Sequence, residues 1–294
     1  MSEVCELNRL LSLTSRTFAL SIPRLPEPLR RQVGIGYLVF RIADTIEDEG
    51  VADPPQRVAA LRKLKQALDD RDADAIDRLL RSWNADHGPD DDGYAELLGR
   101  GRWVYEQLNA LDATARGHIR AYVGRTIDGM AERLLAPSDI TDVPGVQAYC
   151  YHVAGIVGEM LTDLFVNHHA PLRDCRAELM ELSRCFGETL QLVNILRDHG
   201  IDLDAGRRYV PDDAAYTELL CLAERDCTQA QRYLDVLGAA GAPDGVVEFN
   251  AFNLHLAEAT LQLIRTQGPG AKVSREVVAD TMRHVEAGRQ TPGA

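Results

Sequence analysis

Gly36-Tyr37-Leu38-Val39-Phe40-Arg41-Ile42-Ala43-Asp44-Thr45-Ile46-Glu47-Asp48 is the stretch that decides the fold. Its first half is strongly apolar. Its acids recur at i, i+3 and i+4, a spacing that an α-helix gathers on one side, with Arg41 one turn earlier. An acidic helix face is ordinarily a solvated surface with an Arg–Asp pair. Here the apolar flank puts the helix inside the protein, where charges must be paired or bind a cation. A second stretch repeats the design: Leu190-Gln191-Leu192-Val193-Asn194-Ile195-Leu196-Arg197-Asp198-His199-Gly200-Ile201-Asp202. Asn194, Asp198 and Asp202 follow at i, i+4 and i+8, and Gln191 begins the stripe. Arg197 lies beside it, and Arg207 and Arg208 follow after one loop. Mg²⁺ suits such carboxylates, because it takes one or two per ion and fills its other positions with water and substrate phosphate. Two such helices facing each other across a bundle would make a Mg²⁺–diphosphate site.

Outward from these stretches the pattern is helical nearly throughout. Ser15–Ala19 reads as a short ordered segment ended by Pro23 and Pro26. Helices are predicted over Leu29–Glu49, Pro54–Asp70, Ala73–Trp83, Tyr94–Ala110 and Ala113–Leu135. Further helices are predicted over Val146–Val166, Ala177–Asp202, Asp212–Val236, Val246–Thr266 and Ser274–Ala287. Asn84–Gly93, Pro137–Pro144 and Asp204–Pro211 read as loops, Gly238–Pro243 as a break, and 285–294 as a flexible tail. No strand series and no repeat of fixed length emerges. Short connectors predict one all-α domain over residues 1–294.

Composition narrows the partners. The 294 residues are 45% hydrophobic, ample for a large core. The net charge is −13, from 32 basic and 45 acidic residues. That argues against nucleic acid and against a polybasic membrane anchor. Cys5, Cys150, Cys175, Cys185, Cys221 and Cys227 form no C-x-x-C pair and read as small buried thiols in a reducing compartment. An acidic N-terminus and the lack of a long apolar run predict a cytoplasmic protein. Nearly every basic residue is Arg, the better fork for a diphosphate.

Five segments, in order, resemble the squalene/phytoene synthase family. Ser15-Arg16-Thr17-Phe18-Ala19 is similar to its N-terminal element. Tyr37 to Asp48 is similar to its first aspartate-rich motif, in the squalene-synthase form. Gly129-Met130-Ala131-Glu132 resembles a central helix segment. Tyr149-Cys150-Tyr151-His152-Val153-Ala154-Gly155-Ile156-Val157-Gly158 resembles a further signature. Asn194–Asp198 through Arg207-Arg208-Tyr209-Val210-Pro211 resembles the second aspartate-rich motif with its trailing Arg.

The resemblance implies an isoprenoid-synthase-type helical bundle with a central active-site cavity that joins two prenyl diphosphates head to head (1′–1). Asp44, Asp48, Asn194, Asp198 and Asp202 would hold Mg²⁺, with Mn²⁺ as the alternative ion. Arg41, Arg197 and Arg207 would contact diphosphate, with Arg16, Phe18 and Gln191 as further substrate contacts. Tyr149 would stand at the reacting centre, together with Asp44, Asp48, Asp198 and Asp202 as catalytic groups. Gly155 and Gly158 read as close-packing glycines, and His152 as a core or hydrogen-bonded histidine.

Two departures stand out. Ile201 occupies a position that is commonly acidic. Lys272-Val273-Ser274-Arg275 only faintly resembles the basic run tied to NADPH in reductive members, so NADPH is left open. The favoured product is presqualene diphosphate from farnesyl diphosphate, and then squalene. The alternatives are a dehydrosqualene- or phytoene-type outcome without reductant, prenyl transfer to another acceptor, and a non-catalytic binder of prenyl diphosphates. Peripheral membrane contact would serve product release, and the oligomeric state is open.

Overall fold

The first acidic stretch lies on a helix, Leu29–Glu47, that is buried around most of its girth. The computed structural model describes residues 3–48, 50–89, 91–136 and 140–287. Every regular element among them is helical. The chain falls into two compact units, residues 1–136 and 137–294.

The first unit carries α1 (Glu3–Thr14), α2 (Phe18–Ser21), α3 (Leu29–Glu47) and α4 (Pro54–Asp70). It continues with α5 (Ala73–His87), α6 (Asp92–Gly99), α7 (Gly101–Ala110) and α8 (Ala113–Leu135). α3 is its hub and packs against α1, α4, α6, α7 and α8. Leu38, Ala43 and Ile46 are wholly inaccessible. The ends of α4 and α8 match the prediction because their caps are local. Asp53 and Gln56 form a reciprocal capping box ahead of α4, and the Asp112 carboxylate accepts the amides of Thr114 and Ala115 ahead of α8.

Elsewhere packing overrides the pattern. The expected helix over Tyr94–Ala110 is two helices broken at Arg100. Gly99 and Gly101 weaken the helix there, and Gly101 admits Leu80, whose Cδ1 would sit 2.1 Å from any added Cβ. α5 runs past Trp83 to His87, where buried Trp83 packs against the tilted His87 ring, centroids 4.8 Å apart. The loop expected over Asn84–Gly93 therefore shrinks. Its Asp90, like Glu49 at the end of the expected first helix, lies outside the described residues. α1 was not anticipated; its buried Leu7, Leu10 and Leu11 make only one short apolar stripe.

The second unit holds α9 (Val143–Cys150), a π-helical turn (Tyr151–Gly155) and α10 (Ile156–His168). It continues with α11 (Arg176–Asp204), α12 (Asp213–Ala239), α13 (Asp244–Gln267) and α14 (Arg275–Ala287). α11 is its hub and packs on α9, the π turn, α10, α12 and α13. The helix expected over Val146–Val166 is thus split by the π turn. Backbones touch where α10 meets α11. A Cβ on Gly158 would lie 2.1 Å from the Ser183 carbonyl oxygen, and one on Gly187 would lie 2.2 Å from that of Ala154. Gly158 is therefore a packing glycine, as expected.

Asp142 caps α9 within the predicted connector, whose residues 137–139 lie outside the described residues. The predicted tail is corrected in part. Residues 285–287 belong to α14, and Val285 is buried with Phe252 and Leu256 of α13. Residues 288–294 lie outside the described residues. The thiols also divide: Cys150 and Cys227 are buried, whereas Cys5 and Cys221 are exposed. No helix among the described residues is long and apolar enough to cross a membrane.

Candidate active site

In the first unit α3 carries Arg41 and Asp44 on a partly exposed face, with Arg41 Nη1 3.5 Å from Asp44 Oδ2. Two aromatic rings steady the guanidinium: its carbon lies 5.5 Å from the centre of Tyr37 and 5.6 Å from that of Tyr94. Arg41 Nε also donates to the Tyr37 hydroxyl (3.3 Å), which donates to the Thr14 carbonyl (2.8 Å). The Phe18 ring packs 5.3 Å from Tyr37, and its amide donates to Ser15 Oγ. The N-terminal element thus meets the first acidic motif through Phe18, while Arg16 stands exposed on the turn before α2. Asp48 closes α3 as an exposed residue, its amide on the Asp44 carbonyl at 2.8 Å.

Glu47, between them in sequence, turns inward. It is 7% exposed and its carboxylate lies 3.8 Å from Arg133, while Arg57 holds its carbonyl oxygen at 2.7 Å. Burial lifts the Glu47 carboxyl to about 8, helped by the charges of Asp48 and Asp44 and opposed by Arg133 and Arg57. Burial likewise lifts Asp44 to about 6, against the pull of Arg41 and with a push from Asp48.

In the second unit the stripe runs along the last turns of α11. Arg197 grips Asp198 with two bonds, Nε at 2.9 Å and Nη2 at 2.5 Å. Arg207 reaches back to Asp202 through Nε at 3.2 Å and Nη2 at 3.0 Å, and its amide bonds the Asp202 carbonyl. Asn194 is exposed and Gln191 partly buried. Ile201 is 50% exposed, so the apolar side chain at this departure faces solvent. The loop before α14 touches the same helix, the Gly270 amide donating to the Arg197 carbonyl at 2.6 Å.

Tyr149 is buried near the end of α9, two residues before the π turn. Such turns are frequent at functional sites. Its ring stacks on Tyr209, centroids 4.9 Å apart and planes 24° apart, with the hydroxyls at 3.4 Å. Tyr209 was quoted within a motif but given no role. The available signal was an aromatic residue two positions after a diphosphate-type Arg in an otherwise polar loop.

Each predicted site residue falls into one of two groups. Phe18, Arg41 and Asp44 are linked in the first unit, with Arg16 and Asp48 exposed nearby in sequence. The second unit brings Arg197 to Asp198 and Arg207 to Asp202 along the stripe begun by Gln191 and Asn194, and pairs Tyr149 with Tyr209. Among the described residues no three His, Cys, Asp or Glu side chains gather into a group able to hold a metal by themselves. The donor sets are hard oxygens at four-residue spacing. They fit an ion such as Mg²⁺ that leaves most of its positions to water and substrate phosphate, and not an all-protein cage. The open depression lined by His255, Asp280, Arg283 and His284 contains none of these residues.

The family model for squalene/phytoene synthase matches residues 11–219. Squalene synthase ERG9 of Candida albicans is 30% identical over 241 residues, 80% of this chain and 51% of that one. Lycopaoctaene synthase of Botryococcus braunii is 29% identical over 197 residues, 66% of this chain and 41% of that one. The chain thus spans about half the length of the curated relatives it matches. Among solved structures, a complex of TcSQS with the ligand BPH1237 superposes with a TM-score of 0.81 at 25% identity, covering 96% of this chain and 86% of that one. A dehydrosqualene synthase in complex with a ligand gives 0.62 at 19% identity, a likeness of fold alone. With a match that runs from α1 into α12 and takes in both acidic stripes and the Tyr149–Gly158 segment, the chain belongs to the squalene/phytoene synthase family.

Proposed function

We propose that the chain is a Mg²⁺-dependent prenyltransferase that joins two farnesyl diphosphates head to head, releasing diphosphate and forming presqualene diphosphate. Residues 1–294 would act as one all-α catalytic domain, in the cytoplasm, with no nucleic-acid partner. The observation that carries this function is the same device in both units: aspartates at four-residue spacing, with Asp44, Asp198 and Asp202 each paired to an Arg.

Asp44 and Asp48, and Asn194, Asp198 and Asp202, would hold the ion, Mg²⁺ or Mn²⁺. When bound, it supplies Lewis-acid neutralisation of the diphosphate oxygens. Arg41, Arg197 and Arg207 would exchange a carboxylate for diphosphate and lower the barrier to breaking the allylic C–O bond. Arg16, Phe18 and Gln191 would complete substrate binding. Tyr149, buried and ring-stacked, would face the allylic cation and steady it through its ring and oxygen. Apolar walls must exclude water, which would otherwise quench that cation.

Reduction onward to squalene by NADPH is the second reading. The Gly270–Arg197 bond favours it by anchoring the loop that carries Lys272 to the second acidic helix. Half-exposed Ile201 and Leu203, next to Asp202, support peripheral membrane contact for release of an apolar product. Incubation with farnesyl diphosphate and Mg²⁺, with and without NADPH, followed by phosphatase and gas chromatography–mass spectrometry, tests both. Presqualene alcohol is expected without NADPH, and squalene with it. Dehydrosqualene in both incubations would replace reduction by proton loss. Absence of any C30 product would overturn the condensation and point to a different acceptor or to a binder.

A further inference from the structure

We propose that Tyr209 is a positioning residue for Tyr149, holding the plane of its ring and the direction of its hydroxyl hydrogen at the reacting centre. This deepens the condensation reading and rests on the place it gives Tyr149.

The two tyrosines lie 60 residues apart in sequence and meet in the core of the second unit, Tyr149 9% and Tyr209 7% exposed. Their rings are stacked rather than edge-on, 4.9 Å between centroids and 24° between planes. Stacking of this kind fixes a ring plane. The Tyr149 hydroxyl donates toward the Tyr209 hydroxyl at 3.4 Å, long for such a bond, and contacts of this kind tighten when substrate fills a site. With its hydrogen committed to Tyr209, Tyr149 presents lone pairs, not a proton, to a developing positive charge. A dipole oriented in advance needs no reorganisation as that charge appears.

Packing alone does not call for this hydroxyl. A buried hydroxyl costs stability unless it is bonded, and phenylalanine would fill the same space without that cost. The location points the same way. Tyr209 stands two residues after Arg207, which holds Asp202, so one short segment reaches both the acidic stripe and Tyr149. On the far side Tyr149 leads into the π turn, whose seat on α11 requires glycine at 187. The Tyr149 ring is thereby set from its backbone by the π turn and from its face by Tyr209.

The test is a double-mutant cycle of Tyr149→Phe, Tyr209→Phe and the pair, with Tyr209→Leu added, read by steady-state kinetics and by urea denaturation. Tyr209→Phe is expected to lower kcat by roughly tenfold, with KM changed by less than about twofold. It should add almost nothing on top of Tyr149→Phe. Tyr209→Leu, which also removes the stacked ring, should lose more, and Phe at that position should recover part of the loss. An unchanged kcat in Tyr209→Phe would overturn the proposal. So would losses that multiply in the double variant, or a Tyr149→Phe enzyme as fast as wild type. If the wild type condenses no prenyl diphosphate, the condensation reading fails by itself and denaturation judges the pair without substrate. Coupled stability losses would then support Tyr209 as the hydroxyl partner, and additive losses would overturn it.

Discussion

The two acidic stripes share one pattern of residues in different surroundings. On α3 the stripe is backed by the core of its unit, and its Arg is held between two tyrosine rings. On α11 the stripe runs off the end of a long helix, and its Arg residues are paired with the aspartates. The first stripe is preset by apolar packing, the second by ion pairs that substrate would have to take apart under the proposed function. Nearby acids follow the same division. Glu47 is drawn into the core and tied to Arg133, whereas Asp202 remains reachable at a helix end.

Chelation is the most severe way to break the comparison. EDTA should abolish turnover while moving the melting temperature by less than about 2 °C, because three of the aspartates are already compensated by Arg without metal. A large drop in melting temperature would show that the fold leans on the ion. Next, Asp48→Ala and Asp198→Ala should each lower kcat/KM by roughly 10²–10³ with unchanged circular dichroism. If only one of them does so, the stripes are unequal and the one-reaction reading loses half its support.

Arg→Lys exchange separates the two settings. Arg41→Lys, which loses the ring-stacked fork, should cost roughly 30-fold in kcat/KM, against about tenfold for Arg207→Lys. Equal losses would remove the distinction between a packed and an ion-paired guanidinium. Glu47→Gln should leave kcat within about threefold, because a carboxylate turned to Arg133 is structural; a loss as large as that of Asp48→Ala would return it to the site. Smallest of all, Ile201→Glu should lower the Mg²⁺ concentration needed for half-maximal rate by about twofold. No change there would mean that this exposed position lies away from the ion.

The parts of the fold readable from sequence are those governed by neighbours in the chain. The capping box at Asp53 and the cap at Asp112 let α4 and α8 be bounded correctly. The helices bearing both acidic runs, and the family itself, were legible from spacing and segment order. What depended on distant partners was not. Gly101, beside the break at Arg100, packs against Leu80, and the π turn meets the α11 backbone at Gly187. Helical spacing alone groups Glu47 with Asp44 and Asp48, and only the placement of Arg133 and Arg57 turns it away. Tyr209 gains its meaning from Tyr149, a partner no local pattern could supply.

The bond from the Gly270 amide to the Arg197 carbonyl fixes a length as well as a contact. The chain from the end of α13 to the start of α14 must span to that carbonyl and back with Gly268 and Gly270 both at positive φ. One residue more or fewer would drag on the helix turn that presents Asp198 or lift Val285 from its seat. For anyone building on this scaffold, residues 268–274 are therefore closed to insertion.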